Sequence, residues 1–150
     1  MSYQTLICAA ELQALPPEKL LLIDVGFDLT DTSAGERAYG VAHLRGAHYL
    51  HLDRDLSAAK TGTNGRHPLP DRAGFAAQLT ALGLRTDTQV VVYDAQGGMV
   101  AARLWWMLRW IGHAAVAVLD GGQATWRGAL TAELPAAQRG NFVLGDALGG

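Results

Sequence analysis

The chain has 150 residues, 49% of them apolar and 17% charged, with a formal net charge of −2. That length bounds it to one domain with a real core, and the near balance of charge excludes a polybasic nucleic-acid or membrane-surface binder. No apolar run approaches a membrane span, the start Met1 to Cys8 lacks the basic and long apolar regions of a signal peptide, and a single cysteine excludes an internal disulfide and fits a reducing cytoplasm.

Thr5 to Ile7 is read as a short edge strand, and Ala9 to Leu15 as a short helix stopped by Pro16-Pro17. Leu20-Leu-Leu-Ile-Asp-Val25 is an apolar run too short for a helix, hence a central strand ending near Asp24. Turn formers follow from Asp28, then a short helix from Glu36 to Val41. Alternation at Ala47 to Leu50 predicts a further strand. Asp53 to Pro70 is a long loop, of a length that is often functional or a lid. Asp71 is placed to cap a helix that runs to Leu82 and stops at Gly83.

Gln89-Val-Val-Val-Tyr-Asp94 reads as a strand buried on both faces. Gly97 and Gly98 turn the chain into a helix from about Met99, with Val100, Leu104, Met107, Leu108 and Ile111 along one face. Ala115 to Leu119 is another buried strand, and Asp120-Gly-Gly122 turns into a helix through Trp126. Residues 1–130 form the domain, and 131–150, rich in Ala, Pro, Gln and Gly, read as a tail or interdomain linker. Strands alternating with helices imply an α/β fold with a parallel sheet of four or five strands and right-handed crossovers. Ligands of such sheets sit beyond the carboxyl ends of the strands. The Asp94–Gly98 loop is therefore where chemistry is expected, yet it holds an aspartate and no cysteine or serine.

Six pieces in order now carry a resemblance: Leu22-Ile-Asp24; His43-Leu-Arg-Gly46-Ala47; Asp53 with His67-Pro-Leu-Pro70; Val91-Val-Tyr-Asp94; Ala101-Ala-Arg-Leu-Trp-Trp106; and Leu119-Asp-Gly-Gly122 with Trp126. Together they resemble the N-terminal domain of tandem-domain sulfurtransferases of the rhodanese family, the thiosulfate and 3-mercaptopyruvate sulfurtransferases. Ala42 and Arg45 depart from the family's Gly-His-Ile-Pro-Gly-Ala box. The resemblance implies a mainly parallel five-stranded sheet with helices on both faces. It also implies a loop cysteine that takes sulfur from a donor as a persulfide and passes it to an acceptor, without cofactor or metal. In the two-domain enzymes that cysteine lies in the C-terminal domain, and the matching N-terminal position is an aspartate, here Asp94.

The chain is thus expected to be the non-catalytic half. Its partner would be the C-terminal rhodanese domain, with a small sulfur-donor anion bound in the intact enzyme. The other half would choose between thiosulfate and 3-mercaptopyruvate. The alternative is a stand-alone module that holds an anion or a partner protein. A phosphatase of related fold is rejected for want of a loop cysteine.

Asp94 is expected to bond loop N–H groups or pair with Arg103, since a persulfide needs a thiolate. Arg103 is expected to form a structural ion pair with Asp24 or Asp94, with anion binding at a domain interface as its other reading. Gly97, Gly98 and Trp106 complete the interface candidates, one of Trp105 and Trp106 packing on the sheet and the other meeting a second domain. Asp24, His43, Gly46, Gly121 and Gly122 are assigned structural roles, and Cys8 is read as a small buried apolar side chain. His48 and His51 would point to opposite faces of a strand, so no metal site is expected.

Overall fold

In the computed structural model the apolar runs become strands of one parallel sheet; residues 3–28, 30–57, 69–95, 98–126, 128–136 and 139–142 are described. In chain order the elements are β1 (Leu6–Ile7), α1 (Ala9–Gln13), β2 (Leu20–Asp24), α2 (Ala34–Val41), β3 (His43–Leu44), β4 (His48–Tyr49), α3 (Arg72–Leu82), β5 (Gln89–Tyr93), α4 (Met99–Trp110), β6 (Val116–Leu119) and β7 (Leu130–Thr131). Five strands pair in the order β1-β6-β5-β2-β4, every pairing parallel.

The period of two along each strand divides the core into two layers. Leu21 and Ile23 of β2 and Val90 and Val92 of β5 face α3 and α4, meeting Phe75, Leu79, Leu104, Met107 and Leu108. Leu22, Val91, Tyr93 and Ala117 face the other way, onto Leu12 of α1 and Tyr39 of α2. Burying each large apolar side chain stabilises the fold by about 1.5–3 kcal/mol. Asp71 caps α3 by accepting from Gly74 N at 2.9 Å, and Gly83 ends it at φ 125°. Helices therefore cover both faces, as the sequence implies.

Some expectations are corrected. The helix assigned from Glu36 begins at Ala34, and the helix after Asp120-Gly-Gly is a four-residue 3-10 turn, Gly122–Thr125. An antiparallel pair of β3 and β7, joining Leu44 to Leu130 and His43 to Thr131, was not foreseen. The segment after it folds back onto the domain. Gly140 N donates to Thr80 O at 2.7 Å, Phe142 N donates to Leu84 O at 3.1 Å, and the Phe142 ring meets His113 edge-on. Most of the long loop, residues 58–68 with Thr61–Gly65 and His67, lies outside the described residues, as does Gly97.

From β5 the chain crosses to β6 on one side, and from β2 it crosses to β4 on the other. The sheet's switch point is therefore the gap between β2 and β5, where open α/β sheets hold their ligands.

Candidate functional site

Two strands end at that gap in a carboxylate, Asp24 on β2 and Asp94 after β5. Asp94 is 2% exposed. Its Oδ1 accepts from Gly98 N at 2.8 Å, and its Oδ2 accepts from Val100 N at 3.0 Å and Ala101 N at 2.8 Å. These N–H groups belong to the start of α4, where helix donors lack intrahelical partners and the macrodipole favours negative charge. Gly98 turns the chain into the helix at φ 95°, a left-handed angle that suits glycine. The expected bonding of Asp94 to loop N–H groups is therefore present. The donors that could cradle a substrate anion are satisfied by the chain's own side chain.

The expected ion pair from Arg103 to Asp24 or Asp94 does not form. Arg103 Nη2 donates instead to the Leu56 carbonyl at 2.9 Å, tying α4 to the segment after β4. The ion pairs among the described residues are Arg37–Asp31, Arg54–Glu36, Arg54–Asp55 and Arg85–Asp87.

Asp24 is 5% exposed, and its Oδ1 accepts from Gly26 N at 2.8 Å. Burial raises its pKa to about 6, and the charge of Asp94 adds to the rise; the Gly26 bond, the Tyr93 hydroxyl beside it and the nearby His43 pull the other way. The same burial, with the charge of Asp24, raises the Tyr39 hydroxyl to about 12. Tyr93 holds the floor by accepting from Leu44 N at 3.1 Å.

His43 is wholly buried. Its Nδ1 lies 2.7 Å from Tyr39 O and its Nε2 lies 2.8 Å from Glu133 O, with the ring stacked on Tyr39. Gly46, at φ 86°, makes the turn from β3 to β4. Gly121 and Gly122 also have positive φ, and a Cβ on Gly122 would lie 2.4 Å from the Asp94 carbonyl oxygen. The close backbone approach expected there is present.

His51 Nε2 lies 2.6 Å from Thr32 O, and its Nδ1 accepts from Asp53 N at 3.1 Å. Among the described residues, no three His, Cys, Asp or Glu side chains converge as metal ligands do. Cys8 is exposed, contrary to the buried reading, because it follows β1 at the N-terminal cap of α1 and faces outward. Trp105 donates to Gln4 O at 2.9 Å and packs against the core, whereas Trp106 is 37% exposed and stacks on Trp110. One tryptophan packs inward and its neighbour outward. Sequence reasoning passed over Tyr39, Asp28 and Gln123, which line the same gap; each comes from a different loop or helix, and none carries a local signal.

Comparison with known proteins gives a consistent result. The family model described as "Rhodanese-like domain" matches residues 9–129. The chain is 49% identical over 132 residues to a "Probable 3-mercaptopyruvate sulfurtransferase" of Pseudomonas aeruginosa, covering 86% of this chain and 46% of that protein. It is 35% identical over 109 residues to the thiosulfate sulfurtransferase of Bos taurus, covering 71% of this chain and 36% of that protein. The chain thus spans less than half the length of these relatives. Among solved structures, the 3-mercaptopyruvate sulfurtransferase from Leishmania major superposes with TM-score 0.79 at 26% identity, covering 91% of this chain and 38% of that one. SseA from Escherichia coli gives 0.76 at 26%, covering 97% and 57%.

Proposed function

The chain belongs to the rhodanese-like domain family, and from that premise we propose that it is the N-terminal, non-catalytic unit of a thiosulfate or 3-mercaptopyruvate sulfurtransferase. In this reading a cysteine thiolate of a second, C-terminal unit attacks the donor's transferable sulfur, whose bond to the rest of the donor breaks so that sulfite leaves thiosulfate or pyruvate, after protonation, leaves 3-mercaptopyruvate. The resulting persulfide yields its outer sulfur to an acceptor thiol or cyanide and the cysteine thiolate is restored. The present unit forms one wall of the site and helps to exclude water. The proposed chemistry needs no cofactor.

The observation that supports this is the carboxylate of Asp94, held by three N–H groups where the fold would place its nucleophile. A carboxylate so held cannot carry a persulfide, which requires a thiolate. Cys8 is no substitute, since it follows the edge strand β1, separated from β5 by β6. No helix among the described residues is long and apolar enough to cross a membrane. With its one cysteine, we place the protein in the cytoplasm.

The test is to incubate the chain with thiosulfate or 3-mercaptopyruvate, then cyanide. The expected result is no thiocyanate and no mass gain of a sulfur atom. Turnover, or sulfur found on Cys8, overturns the reading. So does a coding sequence that continues past Gly150 without a cysteine in the matching loop of a second unit.

A further inference from the structure

At the switch point between β2 and β5 the sheet opens into a cavity of about 180 Å³. Asp24 and Gly26 line it from β2, Asp28 stands at its exposed rim, and Gln123 reaches it from the turn after β6. Gly35 and Ala38 of α2 supply a thin wall. A Cβ on Gly35 would lie 1.8 Å from Gly26 O, so the helix can sit this close only with glycine there. The cavity is smaller than the roughly 300–1,000 Å³ usual for small-molecule sites. It suits one long side chain.

Among the described residues, the charged ones lining it are Asp24 and Asp28. Asp24 is buried, and no arginine or lysine among the described residues forms an ion pair with it. His43, which attracts the Asp24 charge, lies outside the cavity lining, its ring nitrogens against the Tyr39 and Glu133 carbonyls. Further carboxylates follow the other strands, Glu11 after β1, Asp94 after β5 and Asp120 after β6, while Arg54 after β4 is paired with Glu36 and Asp55. Arg37 in α2 is bound to Asp31. A cavity lined by two carboxylates repels anionic sulfur donors and attracts cations.

We propose that this cavity is the socket for a lysine or arginine side chain projecting from the cysteine-bearing unit, docking this acidic edge against a basic surface. The inference rests on the reading of the chain as one unit of two. Relatives about twice as long supply the chain for such a partner, since this chain covers 46% of the Pseudomonas protein. A unit that binds anionic donors must itself present positive charge at its mouth, and complementary charge fixes the register of docking.

The probe is n-butylammonium, a lysine side-chain mimic, with butyrate as control, followed by amide chemical shifts. In the isolated chain, butylammonium should give saturable shifts at Gly26, Gly35, Ala38 and Ala95, and butyrate none. Asp24→Asn should weaken binding at least about tenfold, and Asp28→Asn, at the exposed rim, should weaken it without risk to the fold. In the two-unit protein butylammonium should cause no shift, because the socket is filled. Absence of saturable shifts in the isolated chain, binding by both variants as tight as that of the wild type, or an open socket in the longer protein overturns the proposal. A concentration-dependent dimer that closes the socket overturns it in favour of a second copy of the chain. If no cysteine-bearing unit exists, the functional reading fails while the probe result on the isolated chain still stands.

Discussion

The Asp94 carboxylate closes on the amide of Ala101, seven residues along the chain, at 2.8 Å. The same oxygen accepts from Val100 N, and its partner oxygen accepts from Gly98 N. Removing this buried acceptor leaves three donors at the start of α4 without partners. Asp94→Ala is expected to destabilise the chain by about 3–5 kcal/mol, in the range for breaking buried charged networks. Asp94→Asn should also be costly, because its amide nitrogen would face N–H donors on one side. Urea denaturation followed by tryptophan fluorescence measures both. A change within about 0.5 kcal/mol for the alanine variant would show that the loop holds itself without the carboxylate.

Asp24 gives a pH dependence with a definite sign. Its folded pKa of about 6 lies above that of an unfolded aspartate. Its contribution to stability is therefore fully present below about pH 4 and is lost as pH rises through about 6, a change of about 2–3 kcal/mol. Asp24→Asn can keep the bond from Gly26 N and cannot ionise. The wild type should lose stability relative to this variant between pH 4 and pH 7. Paired denaturation curves across that window decide it, and parallel pH profiles would mean that Asp24 is not strained by burial.

His43 fastens two segments that are far apart in sequence, through Tyr39 O and Glu133 O. His43→Ala leaves both carbonyls without this partner and removes the ring stacked on Tyr39. A loss of about 2–4 kcal/mol is expected from the unmade bonds and the cavity. Hydrogen exchange at Arg45, whose N–H donates to Ala129 O just before β7, should accelerate more than exchange at Val91 in the central strand. Uniform acceleration would argue that His43 supports the whole core and not this strap.

Much of this was legible before the structure. Leu20–Asp24, Gln89–Tyr93 and Val116–Leu119 are apolar runs flanked by turn formers, and each is a strand of the sheet. The strand, glycine turn and helix around Asp94 have local signals at every step, so both the carboxylate's place and its bonding to loop donors could be anticipated. β3 and β7 could not, because two residues carry no periodicity. Arg103 misled for a related reason. Its observed acceptor, Leu56 O, is a backbone carbonyl 47 residues upstream, and any residue could have supplied that. Cys8 was misjudged from its apolar neighbours, although Leu6 is 56% exposed while Ile7 is 1% exposed. Alternation on an edge strand, followed by a helix cap, turned the thiol outward.

The approach of Gly122 to Asp94 should make that glycine irreplaceable. A Cβ there would meet the Asp94 carbonyl oxygen at 2.4 Å, and the backbone holds φ 64°. Both the contact and the angle oppose an L side chain, and the obstacle is backbone and cannot rotate away. Gly122→Ala should cost about 2–4 kcal/mol through strain and overpacking, seen as a lower melting temperature. Gly40, with open space around it and no left-handed angle, is the control. Gly40→Ala in α2 should be neutral or slightly stabilising, since alanine favours the helix. Equal effects at the two positions would contradict the close packing of the turn after β6 on the Asp94 loop.

The exposure of Cys8 predicts ready modification of the native chain. A disulfide reagent such as dithiobis-nitrobenzoate should label one thiol per chain without denaturant, matching the single cysteine of the sequence. Cys8 caps a five-residue helix in a capping box, its backbone N–H donating to the Glu11 carboxylate at 2.9 Å, and a serine can keep the same bonds. Cys8→Ser should therefore change the denaturation midpoint little. A thiol that reacts only after unfolding, or a large loss of stability in the serine variant, would return Cys8 to the core and contradict its outward place at the α1 cap.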